Sequence, residues 1–374
     1  MSLGHGASIV RNGLVFYFDS ANIQKSWKGA PVTNLAKNAS NQVDWSVSNL
    51  TQTVSRSTIT ANEVYRITST TGTGLTFRIG FTNATLVNGA TYTVSYRYRI
   101  ISGGPVFQAR DWCDTAITTT TTALGGGIFY ETATGTRATY DSTYRFLDFE
   151  ISNNTVVEIW DLQLEERAFA TPYSSTQIRT NTQALLDITR NSTVTTNSLT
   201  YTSNGAFSFN GTDNYLTISQ PNVTLSPNQW SIEFILYPIS SDFIAISPIY
   251  AGVDHFVRYE GANQRINFQV TELADVNNRA RFSSVNTVPL NTFTHITLTI
   301  NNLSMKIYIN GRIDSTYTEI ITIANWDGTW HIGQRANDTF RMNGNIPLLK
   351  IYNRELTATE IAQNFSAIRS RFNL

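Results

Sequence analysis

Charged side chains are scarce in this sequence. Asp, Glu, Lys and Arg make up 14% of its 374 residues, against roughly 25% in an average globular protein. Thr, Ser and Asn supply the polarity instead, and these residues favour pleated strands and turns. The 27 basic and 27 acidic residues give a formal net charge of zero. Nucleic-acid-binding proteins normally carry a basic excess, so the composition argues against a nucleic-acid partner.

Cysteine and long apolar runs are also lacking. The single cysteine, Cys113, cannot form an intrachain disulfide, so the fold must depend on packing. No apolar run approaches the ~20 residues that a membrane-spanning helix needs. The segment Met1–Gly6 lacks the basic and apolar regions of a signal peptide. We therefore expect a protein that is made in a reducing cytoplasm and is not inserted in a membrane.

The hydrophobic pattern is that of strands. In residues 90–101 (ATYTVSYRYRII), Tyr92, Val94, Tyr96 and Tyr98 alternate with polar side chains, which predicts a half-buried strand. Similar short runs separated by turn signals continue to residue 332 and favour antiparallel sandwiches. Residues 356–371 have helical spacing, with Thr357 or Thr359 as N-cap, and predict one short C-terminal helix.

The second half of the chain resembles a known family. The phrases AFSFNGTDNYLTI, WSIEFILYP, HITLTINNLSMKIYINGR, WHIGQR and GNIPLLKIYNRELTATEIAQNF, all after residue 205, resemble a concanavalin A-like, laminin-G-like jelly roll. Residues 4–27 (GHGASIVRNGLVFYFDSANIQKSW) resemble the opening of such domains in structural proteins of tailed bacteriophages. The resemblance implies a sandwich fold and a place in a virus particle.

The resemblance also implies two domains, one inserted in the other. Residues 185–191 (LLDITRN) resemble the segment that follows the opening in those relatives, displaced along the chain by the insert. We therefore expect residues 1–33 plus 180–374 to form the concanavalin A-like jelly roll. The insert, residues 34–179, resembles a carbohydrate-binding module of the CBM4/9-like jelly-roll type in NLAKNAS…DW and VEIWDLQLEERAFATPY. The predicted fold class is all-β, with two antiparallel jelly-roll β-sandwiches and a short C-terminal helix.

Catalytic groups are not evident. Glycanases on this fold carry two glutamates flanking an aspartate at alternate positions of one strand, and no such acidic strand is visible. Glu165 and Glu166 are adjacent, would face opposite sides of a strand, and favour a solvated exit segment. The four histidines have no metal-ligand spacing. We therefore predict a protein that is not an enzyme.

A glycan-binding rim is predicted in the insert. Sugar recognition combines an aromatic ring with polar groups that pair with hydroxyls. The candidates are Arg110, Asp111, Trp112, Asp114 and Tyr130, because charges bracket a tryptophan beside a Thr- and Gly-rich loop. The alternative is a core tryptophan with ordinary flanking charges.

A structural calcium ion is the predicted cofactor, since both resembled families often hold one with loop oxygens. In the insert the resemblance implies Asp161 as a ligand. In the other domain the loop of FNGTDNYL offers Asp213 and Asn214. The alternative is that all three are ordinary turn residues.

Together these observations predict a non-enzymatic surface protein of a phage virion, an appendage or decoration of the head, neck or tail. It would be made in the host cytoplasm and displayed on the particle exterior as a homo-oligomer. Its partners would be other virion proteins (capsid or tail) and host-surface glycans, and many displayed copies would give avidity. Two alternatives remain open: a purely structural decoration protein without glycan affinity, and a polysaccharide-cleaving enzyme.

Overall fold

Two compact units make up the chain. The structure, a computed structural model, describes residues 8–37, 46–48, 53–57, 64–68, 75–80, 86–103, 107–109, 111–112, 115–137, 146–151, 154–201, 207–219, 225–226, 228–240, 242–249, 255–272, 274–275, 277–302, 304–318, 323–324, 328–335 and 340–374. Unit 1 is Met1–Gly29 with Asn181–Leu374, and unit 2 is Ala30–Thr180. The sequence analysis placed the two junctions at 33/34 and 179/180.

Antiparallel strands dominate both units. The first fifteen are β1 (Leu14–Asp19), β2 (Val32–Thr33), β3 (Ser46–Ser48), β4 (Thr53–Ser57), β5 (Val64–Thr68), β6 (Leu75–Gly80), β7 (Thr91–Ser102), β8 (Phe107–Ala109), β9 (Asp111–Trp112), β10 (Thr115–Ala116), β11 (Thr118–Gly125), β12 (Ile128–Thr136), β13 (Phe146–Ile151), β14 (Val156–Glu165) and β15 (Ile178–Arg179). The others are β16 (Thr193–Asn197), β17 (Thr200–Tyr201), β18 (Phe207–Asn210), β19 (Tyr215–Ser219), β20 (Gln229–Pro238), β21 (Phe243–Ile249), β22 (Phe256–Glu260), β23 (Arg265–Thr271), β24 (Arg279–Ser283), β25 (Thr294–Asn301), β26 (Ser304–Ile309), β27 (Arg312–Thr318), β28 (Thr329–Ile332) and β29 (Asn343–Tyr352). Helices are few: α1 (Asn181–Ala184), α2 (Ala358–Ile368) and a 3₁₀ turn, Arg369–Arg371. The predicted all-β class with a short C-terminal helix is confirmed.

Two sheets of unit 1 enclose one apolar core. The eight-stranded sheet has the order β17-β18-β29-β20-β25-β26-β27, with β1 also paired to β29, and the seven-stranded sheet has the order β16-β19-β28-β21-β22-β23-β24. Ile232 and Phe234 from the first sheet and Val257 and Ile332 from the second belong to the same buried cluster. Alternate side chains of each strand thus fill the space between the sheets, as in a sandwich.

The opposite face of the eight-stranded sheet carries buried charge. Glu233 on β20 is the cross-strand neighbour of Lys350 on β29, and its Oε1 accepts hydrogen bonds from Lys350 Nζ at 2.8 Å and His295 Nε2 at 3.1 Å. Asn364 of α2 donates to Glu233 Oε2 at 2.6 Å. These four side chains are fully buried. The charges are removed from water because α2 covers them, with Ile361 and Ile368 on its buried side.

Helix α2 is fixed at its start and along its buried face. Thr357 is the N-cap: its Oγ1 accepts from Glu360 N at 3.3 Å, and Thr357 N donates to Glu360 Oε2 at 2.9 Å. This capping box confirms the first of the two N-caps that the sequence predicted. Asn364 Oδ1 accepts from Val10 N at 2.7 Å, which ties the N-terminal segment to the helix. The segment around Val10 and helix α2 therefore cover the same face of the sheet.

Unit 2 has a six-stranded sheet of order β11-β12-β7-β14-β5-β4 and a four-stranded sheet of order β3-β6-β13-β8. Tyr92, Val94 and Tyr96 of β7 are buried in its core, as their alternation predicts. Thr93 on the other face is also buried, because the segment after β14 passes over it and Arg167 O accepts from Thr93 Oγ1 at 2.8 Å. That end of the sheet is therefore covered on both faces, and the strand is half-buried only beyond it.

Helices in the described part of the chain are all too short or too polar to cross a membrane.

The first prediction concerns the buried charges. Burial alone would raise the pKa of Glu233, but the charge of Lys350 and the His295 hydrogen bond lower it to about 2. A depressed carboxyl pKa contributes stability above the unfolded value, which is about 4.3, and this stability is lost as pH falls toward about 2. Glu233→Gln leaves Lys350 buried without its partner charge. We expect urea unfolding at neutral pH to show that the variant's free energy of unfolding is about 3–5 kcal/mol lower than that of the wild type. When the pH is then lowered, the free energy of unfolding should fall less for the variant than for the wild type.

Glu355→Gln is the matched control, because Glu355 pairs with Lys306 at 2.7 Å where both side chains are partly exposed. This substitution should cost no more than about 1 kcal/mol. Equal losses for the two variants would contradict the role given to Glu233.

The second prediction concerns the two units. In unit 2, Val32–Thr33 pairs with Ile178–Arg179, so the first and last strands lie side by side. In unit 1, Lys28 N donates to Ala184 O at 2.9 Å, which keeps the outgoing and returning segments together. Replacing residues 30–180 by a short Gly-Ser linker should leave a soluble chain with one cooperative thermal transition and a β-type circular dichroism spectrum. A molten or insoluble product would contradict the division into an inserted unit and a host unit.

Candidate functional site

A row of three side chains crosses the six-stranded sheet of unit 2 on the face away from its core. Trp160 on β14 is paired with Arg97 on β7, and Arg97 is paired with Tyr130 on β12. Directly opposed residues of antiparallel strands lie on the same face, and adjacent strands are about 4.8 Å apart. The Cα atoms of Trp160 and Tyr130 are therefore about 10 Å apart, one on each side of Arg97. Arg97 is exposed, and Trp160 and Tyr130 are partly exposed. We call these three residues the aromatic–arginine row.

Asp161 positions the arginine of this row. Its Oδ2 lies 3.0 Å from Arg97 Nη1, and the Arg97 side chain is 47% exposed while that of Asp161 is 8% exposed. The strand register shifts between Trp160 and Gln163, and Asp161 has a φ of 54°. This bulge brings the carboxylate to the outer face beside Arg97. One end of the ion pair is thus fixed in the protein and the other faces solvent.

Asp161 is held at an energetic cost. A left-handed backbone is unfavourable for a residue with a Cβ, although Asp tolerates it better than most. Its Oδ1 is buried and has no hydrogen-bond partner among the described residues. Burial raises the pKa of Asp161, while the charges of Arg97 and Lys37 act in the opposite direction. Strain and unsatisfied polar atoms concentrate at functional sites. The orphan oxygen is an acceptor that a ligand hydroxyl or a water molecule could satisfy.

Tyr130 presents a neutral phenol to this face. Burial raises its pKa, and the nearby charges of Glu165 and Asp161 add to this effect, whereas the Ser95 side-chain hydrogen bond and Arg97 oppose it. The hydroxyl is therefore protonated at neutral pH and can both donate and accept a hydrogen bond. A phenol, an indole and a guanidinium in one row supply the stacking surface and the polar groups that a sugar ring requires.

A second ion-pair set borders the row. Glu158 on β14 accepts from Arg66 Nε at 3.0 Å and from Arg99 Nε at 2.7 Å. Its pKa is lowered by these two arginines, although burial acts to raise it. Both arginine side chains are nearly half exposed, at 45% and 48%. The described part of this face thus presents guanidinium groups to solvent while the carboxylates lie beneath them.

The structure places the predicted glycan-binding residues as follows. Tyr130 lies in the aromatic–arginine row. Asp111 and Trp112 form β9, which pairs with β10, and β10 approaches β12, so the backbone of this hairpin lies near the strand that carries Tyr130. Arg110 and Asp114 lie outside the described residues. The rim around Trp112 stays a prediction.

Sequence reasoning missed Arg97 and Trp160 as site residues and assigned Asp161 only to calcium. A usable signal was present in VEIWDLQL, since Trp160 is out of phase with the buried Val157 and Ile159. An outward tryptophan in a strand is unusual and indicates a contact surface.

The calcium predictions find little support in the donor groups. Beside Asp161, the positive charges already come from Arg97 and Lys37. Within the described residues, no group of three His, Cys, Asp or Glu side chains could hold a metal ion. A divalent ion beside Asp161 would therefore be repelled by the positive charges of Arg97 and Lys37.

The second calcium candidate lies in the loop after β18. Asn214 Oδ1 accepts from Asn210 N at 3.0 Å and from Thr200 Oγ1 at 3.1 Å. Asp213 Oδ1 accepts from Asn210 Nδ2 at 2.7 Å and from Asn214 Nδ2 at 3.2 Å. These oxygens hold the loop together, as in other Asx-type turns. Both calcium sites stay untested predictions.

One expectation about the acidic residues is wrong. Glu165 is fully buried instead of lying in a solvated exit segment. Its Oε2 accepts from Gln163 Nε2 and Thr171 N, both at 2.8 Å, and its Oε1 accepts from Thr171 Oγ1 at 2.7 Å. The chain after β14 folds back and supplies the two donors of Thr171, while Gln163 lies on β14 itself. Glu165 therefore holds that segment against the sheet.

Comparisons with known proteins agree with the fold of unit 1. Residues 210–362 match the family described as the concanavalin A-like lectin/glucanases superfamily. This region is therefore similar to the concanavalin A-like, laminin-G-like type that the sequence analysis expected, and the two-sheet sandwich of unit 1 agrees with that similarity. No curated protein matches the chain.

Solved structures of receptor-binding domains also resemble the chain. The botulinum neurotoxin serotype D binding domain is 18% identical, with 49% of each chain covered and a TM-score of 0.41. The botulinum neurotoxin type G receptor binding domain is 22% identical, with 49% of this chain and 48% of that chain covered and a TM-score of 0.39. A botulinum neurotoxin serotype D ligand binding domain, solved in complex with N-acetylneuraminic acid, is 17% identical, with 50% of this chain and 49% of that chain covered and a TM-score of 0.41. Each match spans about half of the known structure.

The third prediction concerns calcium. Because Arg97 and Lys37 already place positive charge near Asp161, and the oxygens of Asp213 and Asn214 accept hydrogen bonds within their loop, chelation should not change the melting temperature. Thermal melts with EDTA, and after adding calcium back, check this. A rise in the melting temperature with calcium that Asp161→Asn abolishes would establish the ion that the sequence resemblance implies.

Proposed function

We propose that this protein is a non-enzymatic glycan-binding protein and that the outer face of unit 2 is its binding surface. The observation that carries the proposal is the aromatic–arginine row, in which Trp160 and Tyr130 flank Arg97 on an exposed face. An aromatic ring packs against the apolar face of a pyranose, and a fixed guanidinium pairs with its hydroxyls. The unpartnered oxygen of Asp161 adds an acceptor beside the arginine.

Rigidity supports binding by this face. The row lies on three paired strands, and Asp161 holds the guanidinium of Arg97. Because these side chains are already ordered, binding of a ligand would cost little conformational entropy. Sheets also present side chains at fixed spacing, which suits the repeating units of a polysaccharide. The predicted rim at Asp111 and Trp112 is a separate candidate, because β9 approaches β13 of the four-stranded sheet and only its partner β10 approaches β12.

Display on a phage particle is the biological setting that we propose. It rests on the resemblance of residues 4–27 to the opening of tailed-phage structural proteins and on the zero net charge, which suits a protein held in an assembly. Weak binding by each copy would become firm attachment when many copies face the host surface. The partners would then be neighbouring head, neck or tail proteins and host-surface glycans, with the protein as a homo-oligomer.

The fourth prediction tests the binding surface. The purified chain is screened against host-surface polysaccharides and a glycan array, with both retention and release of shorter products followed. We expect retention without cleavage. Trp160→Ala and Arg97→Ala should each weaken binding of the retained glycan about tenfold or more, as truncation of a central contact does, and Trp112→Ala shows whether the hairpin takes part.

Arg312→Ala is the matched control, because Arg312 is an exposed arginine on a strand of unit 1. Its binding should equal that of the wild type, and all variants should keep the wild-type melting temperature within a few degrees. Product release would favour a glycanase. No retention of any glycan would sink the proposal and favour a purely structural decoration protein.

A further inference from the structure

A groove with a volume of about 700 Å³ opens on the surface of unit 1. Its lining combines segments before and after the insert, with Gln24–Lys28 on one side and residues 182–194 on the other. Binding sites for small ligands are typically about 300–1,000 Å³. Leu186 and Ile188, which are both half-buried, give it an aliphatic lining, and Thr182 and Thr193 add neutral polar groups. The groove is thus large enough for a ligand with both apolar and hydroxyl surfaces.

Three basic side chains line this groove. Lys25 and Arg190 are exposed and Lys28 is half-buried. Lys28 Nζ donates to the backbone oxygen of Gln24 at 2.5 Å. Within the part of the chain that the structure describes, none of the three pairs with a carboxylate. Cations gathered in a concave surface focus a positive potential and attract anionic ligands.

The one acidic residue of the groove is already satisfied. Asp187 is 4% exposed. Its Oδ1 accepts from Tyr17 N at 3.0 Å and Thr189 N at 2.9 Å, and its Oδ2 accepts from Asn191 N at 3.0 Å and Ser192 N at 3.1 Å. Four backbone dipoles therefore stabilise its charge, and its oxygens are not left for Lys25 or Arg190. Asp187 shapes the turn and does not close the groove with ion pairs.

The turn that Asp187 holds carries two unusual features. Arg190 adopts a φ of 65°, a conformation in which glycine or asparagine is easier to accommodate. The Ser192 hydroxyl is buried and has no hydrogen-bond partner among the described residues. A long basic side chain at a strained turn position and an unsatisfied hydroxyl both line the same groove.

We propose that this groove binds an acidic oligosaccharide, with Lys25, Lys28 and Arg190 contacting its carboxylate. The neutral polar groups of the groove suit sugar hydroxyls, and its aliphatic side chains suit the apolar face of a ring. A nucleic acid would need a long basic track, which a chain of zero net charge does not favour. This groove belongs to unit 1, so the inference does not depend on the site proposed in unit 2.

Calorimetric titration of the full chain with oligogalacturonate tests the proposal. The matched ligand is the methyl-esterified oligomer of the same length, which has the same rings without the charge. We expect the wild type to bind the acidic oligomer at least about tenfold more tightly than the ester, and to lose this preference at high salt. The double variant Lys25→Gln, Arg190→Asn should lose about tenfold in affinity for the acidic oligomer and little for the ester. Asn at position 190 keeps the turn, because it tolerates the left-handed backbone.

Two further variants separate the possible outcomes. Arg312→Asn, which removes an exposed arginine elsewhere in unit 1, should bind the acidic oligomer as the wild type does. Arg97→Ala removes the site proposed in unit 2 and is titrated alongside. A loss in the double variant that exceeds the loss in Arg97→Ala assigns the binding to the groove, and the reverse order assigns it to unit 2 and overturns the proposal. Equal affinity of the wild type and the double variant would overturn the proposal. Complete competition by an equal concentration of inorganic sulfate, or tighter binding of a single-stranded oligonucleotide of the same charge, would overturn the saccharide assignment.

Discussion

The ion pair between Glu233 and Lys350 ties several elements of unit 1 together. Both side chains are fully buried on the face of the eight-stranded sheet that α2 covers. Neither charge can reach water, so each must be satisfied by protein groups, and His295 and Asn364 supply the remaining hydrogen bonds to the carboxylate. Asn364 also holds Val10. One carboxylate therefore joins central strands, the C-terminal helix and the N-terminal segment.

Charge serves a different purpose in unit 2. On the outer face of its six-stranded sheet the carboxylates of Glu158 and Asp161 are buried, while the arginines that pair with them remain nearly half exposed. Forming such a pair costs less desolvation free energy than forming a fully buried one, and its guanidinium keeps N–H groups that can donate to a ligand. The same residue types thus stabilise one unit from inside and prepare a surface on the other. Aromatic neighbours are what turn that surface into a candidate glycan site.

Several elements follow directly from the local sequence. The alternation in residues 90–101 identifies the buried side of β7, and the Thr357–Glu360 spacing identifies the start of α2. Each of these two signals is contained within a short stretch of neighbouring residues. Other features could not be predicted from the local sequence. Glu165 looks like a solvated residue, yet donors from the returning segment bury it. Trp160 and Tyr130 are far apart in sequence, and no local pattern places them on either side of Arg97.

The sequence by itself determined the all-β character, the short C-terminal helix and the likeness of residues 210–362 to concanavalin A-like domains. These depend on periodicity and turn chemistry that each segment carries alone. Only the tertiary structure decided which side chains share a face. In a sheet, a register change of one residue moves a side chain to the opposite face. The bulge at Asp161 and the groove built from residues on both sides of the insert depend on pairing between distant segments, so no single stretch of the sequence contains them.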